Sequence, residues 1–179
     1  MQFIFRKAQP ADAPAMARLI TAAWQTAYRG ILTDALLAGI DVEARAQRIE
    51  EAIETRPDLR YFVLETDGGV AGVSMLSPCR DEDLPDAMEI VVFYVRPDLQ
   101  GRGVGRAMMG ETLRAAADTG RPSVSLWVLR ENGRARGFYE AMGFLEDGAE
   151  KALPELENVH TVRYRKVEDA HDGFHGTPV

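Results

Sequence analysis

A glycine-rich turn between an apolar strand and a helix is the feature that most constrains the fold of this chain. Residues 88–95 form an apolar run, helical spacing resumes at about residue 103, and three glycines lie within residues 100–106. Glycine lets the backbone approach a ligand closely. The helix N-terminus adds unpaired N–H donors and partial positive charge. Arg102 and Arg106 can add contacts to phosphate. The segment therefore predicts an anion site suited to a pyrophosphate.

The spacing of these glycines excludes two common phosphate-binding motifs. A dinucleotide fingerprint requires Gly or Ala at a third position, which falls on Arg106 or Met108. The ATP-type loop requires Gly-Lys followed by Ser or Thr, and no such string is present. A nucleotide-dependent Rossmann enzyme is therefore not expected. The string that remains is Gln-x-x-Gly-x-Gly, which begins at Gln100.

The order of elements predicts an α/β chain of the mixed α+β kind. Hydrophobic periodicity gives the order β, α, α, β, β, β, α, β, α, β, β, with a break in the second helical region near 39–41 and a hairpin at 67–69. Three consecutive strands favour a mixed sheet with helices on its faces over a strictly alternating parallel sheet. Residues 1–167 are expected to form a single domain, and residues 168–179 a polar C-terminal tail.

The composition of the chain limits which classes of partner, and which cellular location, are expected. The net charge of −7 argues against nucleic acid and is compatible with cationic partners such as amines. No apolar run reaches the ~20 residues of a membrane helix. The single cysteine, Cys79, cannot form an internal disulfide, so a cytoplasmic location is expected. His171 and His175 have metal-ligand spacing, but they lie in a tail without an apolar face, so no metal is expected.

Two motifs, in the right order, resemble those of the GNAT acetyltransferase superfamily. The first is Arg/Gln-x-x-Gly-x-Gly/Ala, matched by Gln100, Gly103 and Gly105 within the fuller run Tyr94–Arg106. The second is Asn-x-x-Ala-x-x-Phe-Tyr-x-x-x-Gly-Phe, which is matched by Asn132, Ala135, Phe138, Tyr139, Gly143 and Phe144. The resemblance extends over about residues 2–167, and residues 87–144 carry the specific motifs.

The resemblance implies a mostly antiparallel central sheet, flanked by helices on both faces, and an acetyl-CoA-dependent N-acetyltransferase. The acetyl group would pass directly from the thioester to a small-molecule or peptide amine, and a homodimer is compatible with the family. A non-catalytic acetyl-CoA sensor or interaction module on the same fold is the alternative. The cofactor-binding residues implied are Phe93, Tyr94, Val95, Gln100, Gly101, Arg102, Gly103, Val104, Gly105, Arg106, Asn132 and Phe138.

Main-chain groups carry part of this implied site. A bulge in the fourth strand would direct an N–H near Phe93 or Tyr94 toward the thioester oxygen, as in an oxyanion hole. The pantetheine arm would pair with the backbone of Phe93 and Val95 as an added strand. Asn132 would hold its other side.

Candidate catalytic residues follow from the same resemblance. Tyr139 is the candidate general acid for the leaving thiolate; the alternative is an aromatic residue on an amphipathic helix. Glu89, in an otherwise apolar strand, is the candidate base; an outward-facing glutamate and a water chain are alternatives. Trp24 and Tyr28 are expected to wall the acceptor pocket or to pack in the core. The acidic segment 81–86 is either part of an acceptor site or a solvated loop.

Overall fold

A seven-stranded sheet organises residues 2–167, the part of the chain that the computed structural model describes. The strand order is β1-β2-β3-β4-β5-β7-β6, and only β4 and β5 run parallel. The expected mixed, mostly antiparallel sheet is confirmed. The predicted tail and both of its histidines lie outside the described residues. The strands are β1 Ile4–Lys7, β2 Arg60–Thr66, β3 Gly69–Pro78, β4 Ala87–Val95, β5 Ser123–Leu129, β6 Leu145–Leu153 and β7 Val159–Val167.

Helices cover both faces of this sheet, as expected. They are α1 Ala13–Ala27, α2 Asp34–Ala38, α3 Val42–Thr55, α4 Val104–Ala117 and α5 Gly133–Ala141. Successive side chains of a strand point to opposite faces. In β2, Val63 packs with Met16 and Ile20 of α1, whereas Leu64 packs with Met108 of α4. The two helical layers therefore bury the two sides of the same strands.

Local capping explains where the first helices begin. The predicted break near 39–41 is confirmed, because α2 and α3 are separate helices. At the start of α2, the Thr33 hydroxyl accepts a hydrogen bond from Leu36 N–H (3.3 Å). At the start of α3, the Asp41 side chain accepts one from Ala44 N–H (2.9 Å). Asp12 directly precedes α1, and its residue type favours an N-cap, but its side chain does not cap that helix.

Asp12 is engaged elsewhere. Its carboxylate accepts hydrogen bonds from the Arg6 guanidinium (2.7 and 2.9 Å) and from the Gln9 N–H (2.7 Å). The hydrogen bond from Arg6 holds the pKa of Asp12 below its usual value. The residue therefore joins β1 to the short 3₁₀ turn before α1.

The hairpin of β6 and β7 is longer than the sequence indicates. The alternation predicts a strand over 144–149, whereas β6 runs to Leu153, with a register shift between Glu146 and Glu150 that includes Gly148 at φ +87°. This edge strand is largely exposed and polar, so its second half carries no apolar alternation.

One contact joins the turn of this hairpin to the loop between α1 and α2. The Thr33 N–H and hydroxyl donate to the two carboxylate oxygens of Glu157 at 3.1 and 2.6 Å. Thr33 lies between α1 and α2, and Glu157 between β6 and β7.

None of the described helices has both the length and the apolar character needed to cross a membrane.

Candidate active site

The parallel strands β4 and β5 separate partway along their length. β4 and β5 pair over four residue pairs, from Ala87 with Ser123 to Ile90 with Leu126. Just beyond, β4 carries an extra residue: Met75 of β3 pairs with Val92 and Leu76 with Ile90, which leaves Val91 in a bulge. The implied bulge in the fourth strand is thus present, at Val91 and two residues before Phe93.

A cleft of about 480 Å³ opens where the two strands separate. Its walls come from the C-terminal halves of β4 and β5, the C-terminal end of α1, and the N-terminal ends of α4 and α5. Sheet edge, helix termini and aromatic side chains therefore meet in one cavity. Such a convergence is typical of a ligand site.

The N-terminus of α4 presents free hydrogen-bond donors to this cleft. Gly101 and Gly103 have φ of +76° and +83°, so the chain turns sharply before Val104 begins the helix. Within residues 2–167, no protein acceptor is in place for the main-chain N–H groups of residues 103–106. These donors and the helix dipole form an anion site, and the Arg106 side chain lines the same wall.

The N-terminus of α5 faces the cleft beside it. The Asn132 side chain accepts a hydrogen bond from Ala135 N–H at 3.2 Å and so caps this helix. Arg134, in the first turn, lines the cleft. Two helix N-termini and two arginines therefore make this part of the cavity electropositive.

Most of the residues implied for cofactor binding line the cleft, with two exceptions. The Arg102 side chain is exposed and is not among the lining residues. Val104 is fully buried and packs with Val95 and Met108 in the core. The side chains of Arg102 and Val104 therefore do not face the cleft.

Close packing between α4 and α5 shapes the floor of the cleft. A Cβ on Gly105 would lie 3.4 Å from the Phe138 ring, so glycine lets α4 approach this aromatic residue. Phe138 stacks on Phe93 at a centroid distance of 5.8 Å and meets Tyr139 edge-on at 5.6 Å. The aromatic pair predicted on one face of α5 thus contacts β4.

Tyr139 is the predicted acid, and it lines the cleft. The residue is 9% exposed. Burial, with a smaller contribution from the Tyr94 phenol, raises its pKa above the usual value. Its hydroxyl makes no hydrogen bond to another described residue. The phenol is therefore neutral at physiological pH, and its proton is free for a ligand.

Glu89, the predicted base, does not line the cleft. Its carboxylate is 1% exposed and accepts two hydrogen bonds from the Arg80 guanidinium, at 3.0 and 2.6 Å. Both carboxylate oxygens are engaged by Arg80. Glu89 therefore lies behind the lining of the cleft, and its role as a base stays a prediction.

Of the two aromatic residues predicted for the acceptor pocket, one lines the cleft and the other does not. Tyr28 lines the cleft, and its hydroxyl lies 3.0 Å from that of Tyr94. Trp24 is not a lining residue: it packs edge-on against Tyr28 at 5.2 Å and lies beneath the Arg45 guanidinium at 4.8 Å. Trp24 therefore supports Tyr28 from behind.

Several lining residues were missed by the sequence reasoning, and Trp127 is the most informative of them. Its indole N–H donates to Asp81 at 2.9 Å, and the Lys151 ammonium lies 3.8 Å from the ring centroid. Asp81 is 46 residues away, so the sequence carried no local signal of this contact. Because Arg134 follows Asn132 by two residues, the sequence could have indicated a second helix N-terminus with a basic residue in its first turn. The other lining residues not predicted are Ala23, Thr26, Ala27, Ile90, Val91, Val128 and Ala135.

The acidic loop before β4 is bound to the sheet by a buried arginine. Arg163, 5% exposed, donates to Asp81 (3.2 Å), to both oxygens of Asp83 (2.8 and 2.5 Å) and to Asp147 (2.8 Å). This network fixes Asp81 and hence Trp127. Asp81 and Asp83 are thus both ion-paired with Arg163; the Asp81 side chain is largely buried, whereas the Asp83 side chain stays 63% exposed. Within residues 2–167, no group of three or more His, Cys, Asp or Glu residues is arranged to hold a metal ion.

Comparisons with known proteins agree with this geometry. A family model described as the acetyltransferase (GNAT) family matches residues 19–144. A protein named as a probable N-acetyltransferase from Mycobacterium tuberculosis is 30% identical over 175 residues, which cover 94% of this chain and 95% of that protein. The mycothiol acetyltransferase of Streptomyces coelicolor is 30% identical over 124 residues, which cover 63% of this chain but only 39% of that protein.

Solved structures share the fold at lower identity. The PaiA N-acetyltransferase of Thermoplasma acidophilum, solved in complex with coenzyme A, has a TM-score of 0.76 at 18% identity and covers 94% of this chain and 100% of that one. The ribosomal-protein-S18-alanine N-acetyltransferase of Escherichia coli has a TM-score of 0.68 at 16% identity, with 96% and 98% covered.

Proposed function

Because the chain belongs to the acetyltransferase (GNAT) family, we propose that it transfers the acetyl group of acetyl-CoA directly to a primary amine of a small molecule or peptide. One observation carries this proposal. The cleft at the split between β4 and β5 combines free main-chain N–H groups at the start of α4 with the unbonded hydroxyl of Tyr139.

The residues of the cleft fit the parts of acetyl-CoA. The N–H groups of residues 103–106 and the side chains of Arg106 and Arg134 would hold the pyrophosphate. Beyond Ile90, β4 is released from β5, so the backbone of residues 91–95 is available to pair with the amide groups of the pantetheine arm. Acetyl-CoA, when bound, supplies the acetyl group as a thioester.

Tyr139 holds the proton that the reaction needs at sulfur. As the amine nitrogen bonds to the carbonyl carbon and the carbon–sulfur bond breaks, the Tyr139 hydroxyl donates its proton to the departing thiolate. The nitrogen releases a proton through water, which restores the phenol. Overall, one N–H proton is exchanged for one S–H proton.

Main-chain N–H groups beside the bulge would stabilise the carbonyl oxygen. The bulge leaves Val91 without a partner in the ladder between β3 and β4, and regular pairing resumes at Val92. A donor released in this way can stabilise negative charge that develops on an oxygen.

Substitution of Tyr139 tests the chemical step. Tyr139→Phe removes no hydrogen bond to a described residue, so the fold and acetyl-CoA binding are expected to persist while kcat falls by about 100-fold or more. Tyr164→Phe is the matched control, because the Tyr164 hydroxyl binds Arg136 and Glu140 and does not line the cleft. It is expected to lower stability and leave kcat nearly unchanged.

The measurement is thiol release from acetyl-CoA with an amine screen, alongside thermal unfolding with acetyl-CoA, CoA, NAD and ATP. Ligand at 100 times its Kd adds about 2.7 kcal/mol to the free energy of unfolding. Stabilisation by acetyl-CoA and CoA without turnover would favour a non-catalytic acetyl-CoA sensor. Loss of acetyl-CoA binding and of rate to the same extent in Tyr139→Phe would refute the acid role.

A further inference from the structure

The charged residues that line the cleft are all basic and lie on one side of it. Arg106 and Arg134 stand at the helix N-termini that form the anion site. The opposite wall, which is left for the acceptor, contains no charged side chain among the described residues. It is formed by Ala23, Thr26, Ala27, Tyr28, Tyr94 and Trp127.

This absence of carboxylates in the lining contrasts with the acidity of the whole chain, which has 28 Asp and Glu against 21 Lys and Arg. The acidic groups closest to the acceptor wall are already bound within the protein. Asp81 accepts hydrogen bonds from the Trp127 indole and from Arg163, and Glu89 is held by Arg80. Because these pairs are satisfied internally, no carboxylate of residues 2–167 is among the groups that line the cleft.

The polar groups that the acceptor wall does offer are neutral hydroxyls. Tyr28 and Tyr94 share a hydrogen bond of 3.0 Å, and Tyr139 lines the cleft with them. Burial raises the pKa of all three phenols, so they remain uncharged at physiological pH. The wall therefore presents aromatic ring surface and hydroxyl groups, which suit an apolar body with one amine.

We propose, on the basis of the proposed function, that the acceptor is a primary monoamine with an apolar body, and that diamines and polyamines are discriminated against. The reacting amine must be neutral to attack, so it needs no counter-ion in the cleft. A second ammonium group would be removed from water without a carboxylate partner, which is unfavourable. An acceptor site that selected polycations would instead require unpaired carboxylates in its lining.

Two amines of equal length test this inference on the full-length protein. Hexylamine and 1,6-diaminohexane differ by one terminal ammonium group. With saturating acetyl-CoA, kcat/KM for hexylamine is expected to exceed that for 1,6-diaminohexane by about 100-fold, as measured by thiol release. Equal values, or a preference for the diamine, would overturn the inference.

Binding to the CoA-saturated protein separates this inference from the proposed function. Isothermal titration of the same two amines is expected to give tighter binding of hexylamine whether or not turnover occurs. Preference for hexylamine without thiol release would uphold the inference and contradict the transfer reaction. Failure to discriminate, or failure of both amines to bind at about 10 mM, would overturn the inference while leaving CoA binding intact.

A substitution in the acceptor wall gives a second, independent test. Thr26 is exposed on α1 and lines the cleft, and its hydroxyl bonds only to the Ala22 carbonyl at 2.8 Å. Thr26→Glu places a carboxylate in the acceptor wall, and Thr26→Gln places a neutral side chain of the same length there. Glutamate and glutamine are both good helix formers. The diamine-to-hexylamine ratio of kcat/KM is expected to rise about tenfold in Thr26→Glu and to stay unchanged in Thr26→Gln. Equal ratios in the two variants would overturn the inference.

Discussion

Two glycines on the turn before α4 and one inside the helix should respond in opposite ways to the same substitution. Gly103 has φ +83°, and a Cβ built there meets no atom within 4 Å. Alanine at this position suffers no clash, so its whole effect comes from the left-handed backbone, about 1–2 kcal/mol. Gly101, at φ +76° and equally open, should behave in the same way.

Gly105 lies in the first turn of α4 at an ordinary helical φ. Alanine is favoured over glycine in a helix by up to about 1 kcal/mol. The added Cβ would lie 3.4 Å from the Phe138 ring, a tight contact that offsets part of this gain. Gly105→Ala should therefore be neutral or slightly stabilising in the absence of ligand.

Thermal unfolding followed by circular dichroism measures the difference. For a chain of this size 1 kcal/mol changes Tm by roughly 2–4 °C, so Gly103→Ala should lower Tm by about 2–8 °C and Gly105→Ala should not. Gly103→Ala should also weaken the stabilisation by CoA, because the strained turn moves the N–H donors. An unchanged Tm in Gly103→Ala, or an equal loss in Gly105→Ala, would refute this account.

Three further predictions concern protonation and the buried arginine. If the amine loses its proton to water, kcat/KM should rise about tenfold per pH unit below the amine pKa, and it should not fall by pH 9, because the pKa of Tyr139 is raised. The free energy of unfolding, from urea titrations, should be level between about pH 7 and about pH 10 and decrease above it, because the unfolded phenol ionises first; Tyr139→Phe should reduce this decrease. Arg163→Met removes the arginine that pairs with both Asp81 and Asp147, and it should destabilise the protein by about 3–5 kcal/mol in the same titrations.

The anion site could be predicted because its signals are local. Gly103 and Gly105 lie within a few residues of the donors they release, and Phe138 and Tyr139 share a helix face with Ala135. Their local positions follow from the turn and from helix periodicity, whereas their assignment to one site came from the resemblance to the GNAT motifs. The cleft they line was therefore recognisable from two short motifs.

The acceptor side depended on contacts between distant residues. Trp127 is held by Asp81, which lies 46 positions earlier in the chain, and that contact needs the loop before β4 to pack on β5. For Glu89, an acid in an apolar strand suggested a base, but its face is set by strand pairing and its partner is Arg80. Periodicity reveals that such a side chain is buried, not which group neutralises it.

The early end of the β4–β5 ladder divides the sheet into two panels, one from β1 to β4 and one from β5 to β7. Four residue pairs form the main-chain connection between these panels, and the bonds from Thr33 to Glu157 join them at a second place. Any widening of the cleft must bend the sheet about the line from Ala87 to Ile90 and stretch the Thr33–Glu157 contact. The stiffness of the opening therefore depends on residues on this axis and at this contact, most of which do not line the cleft.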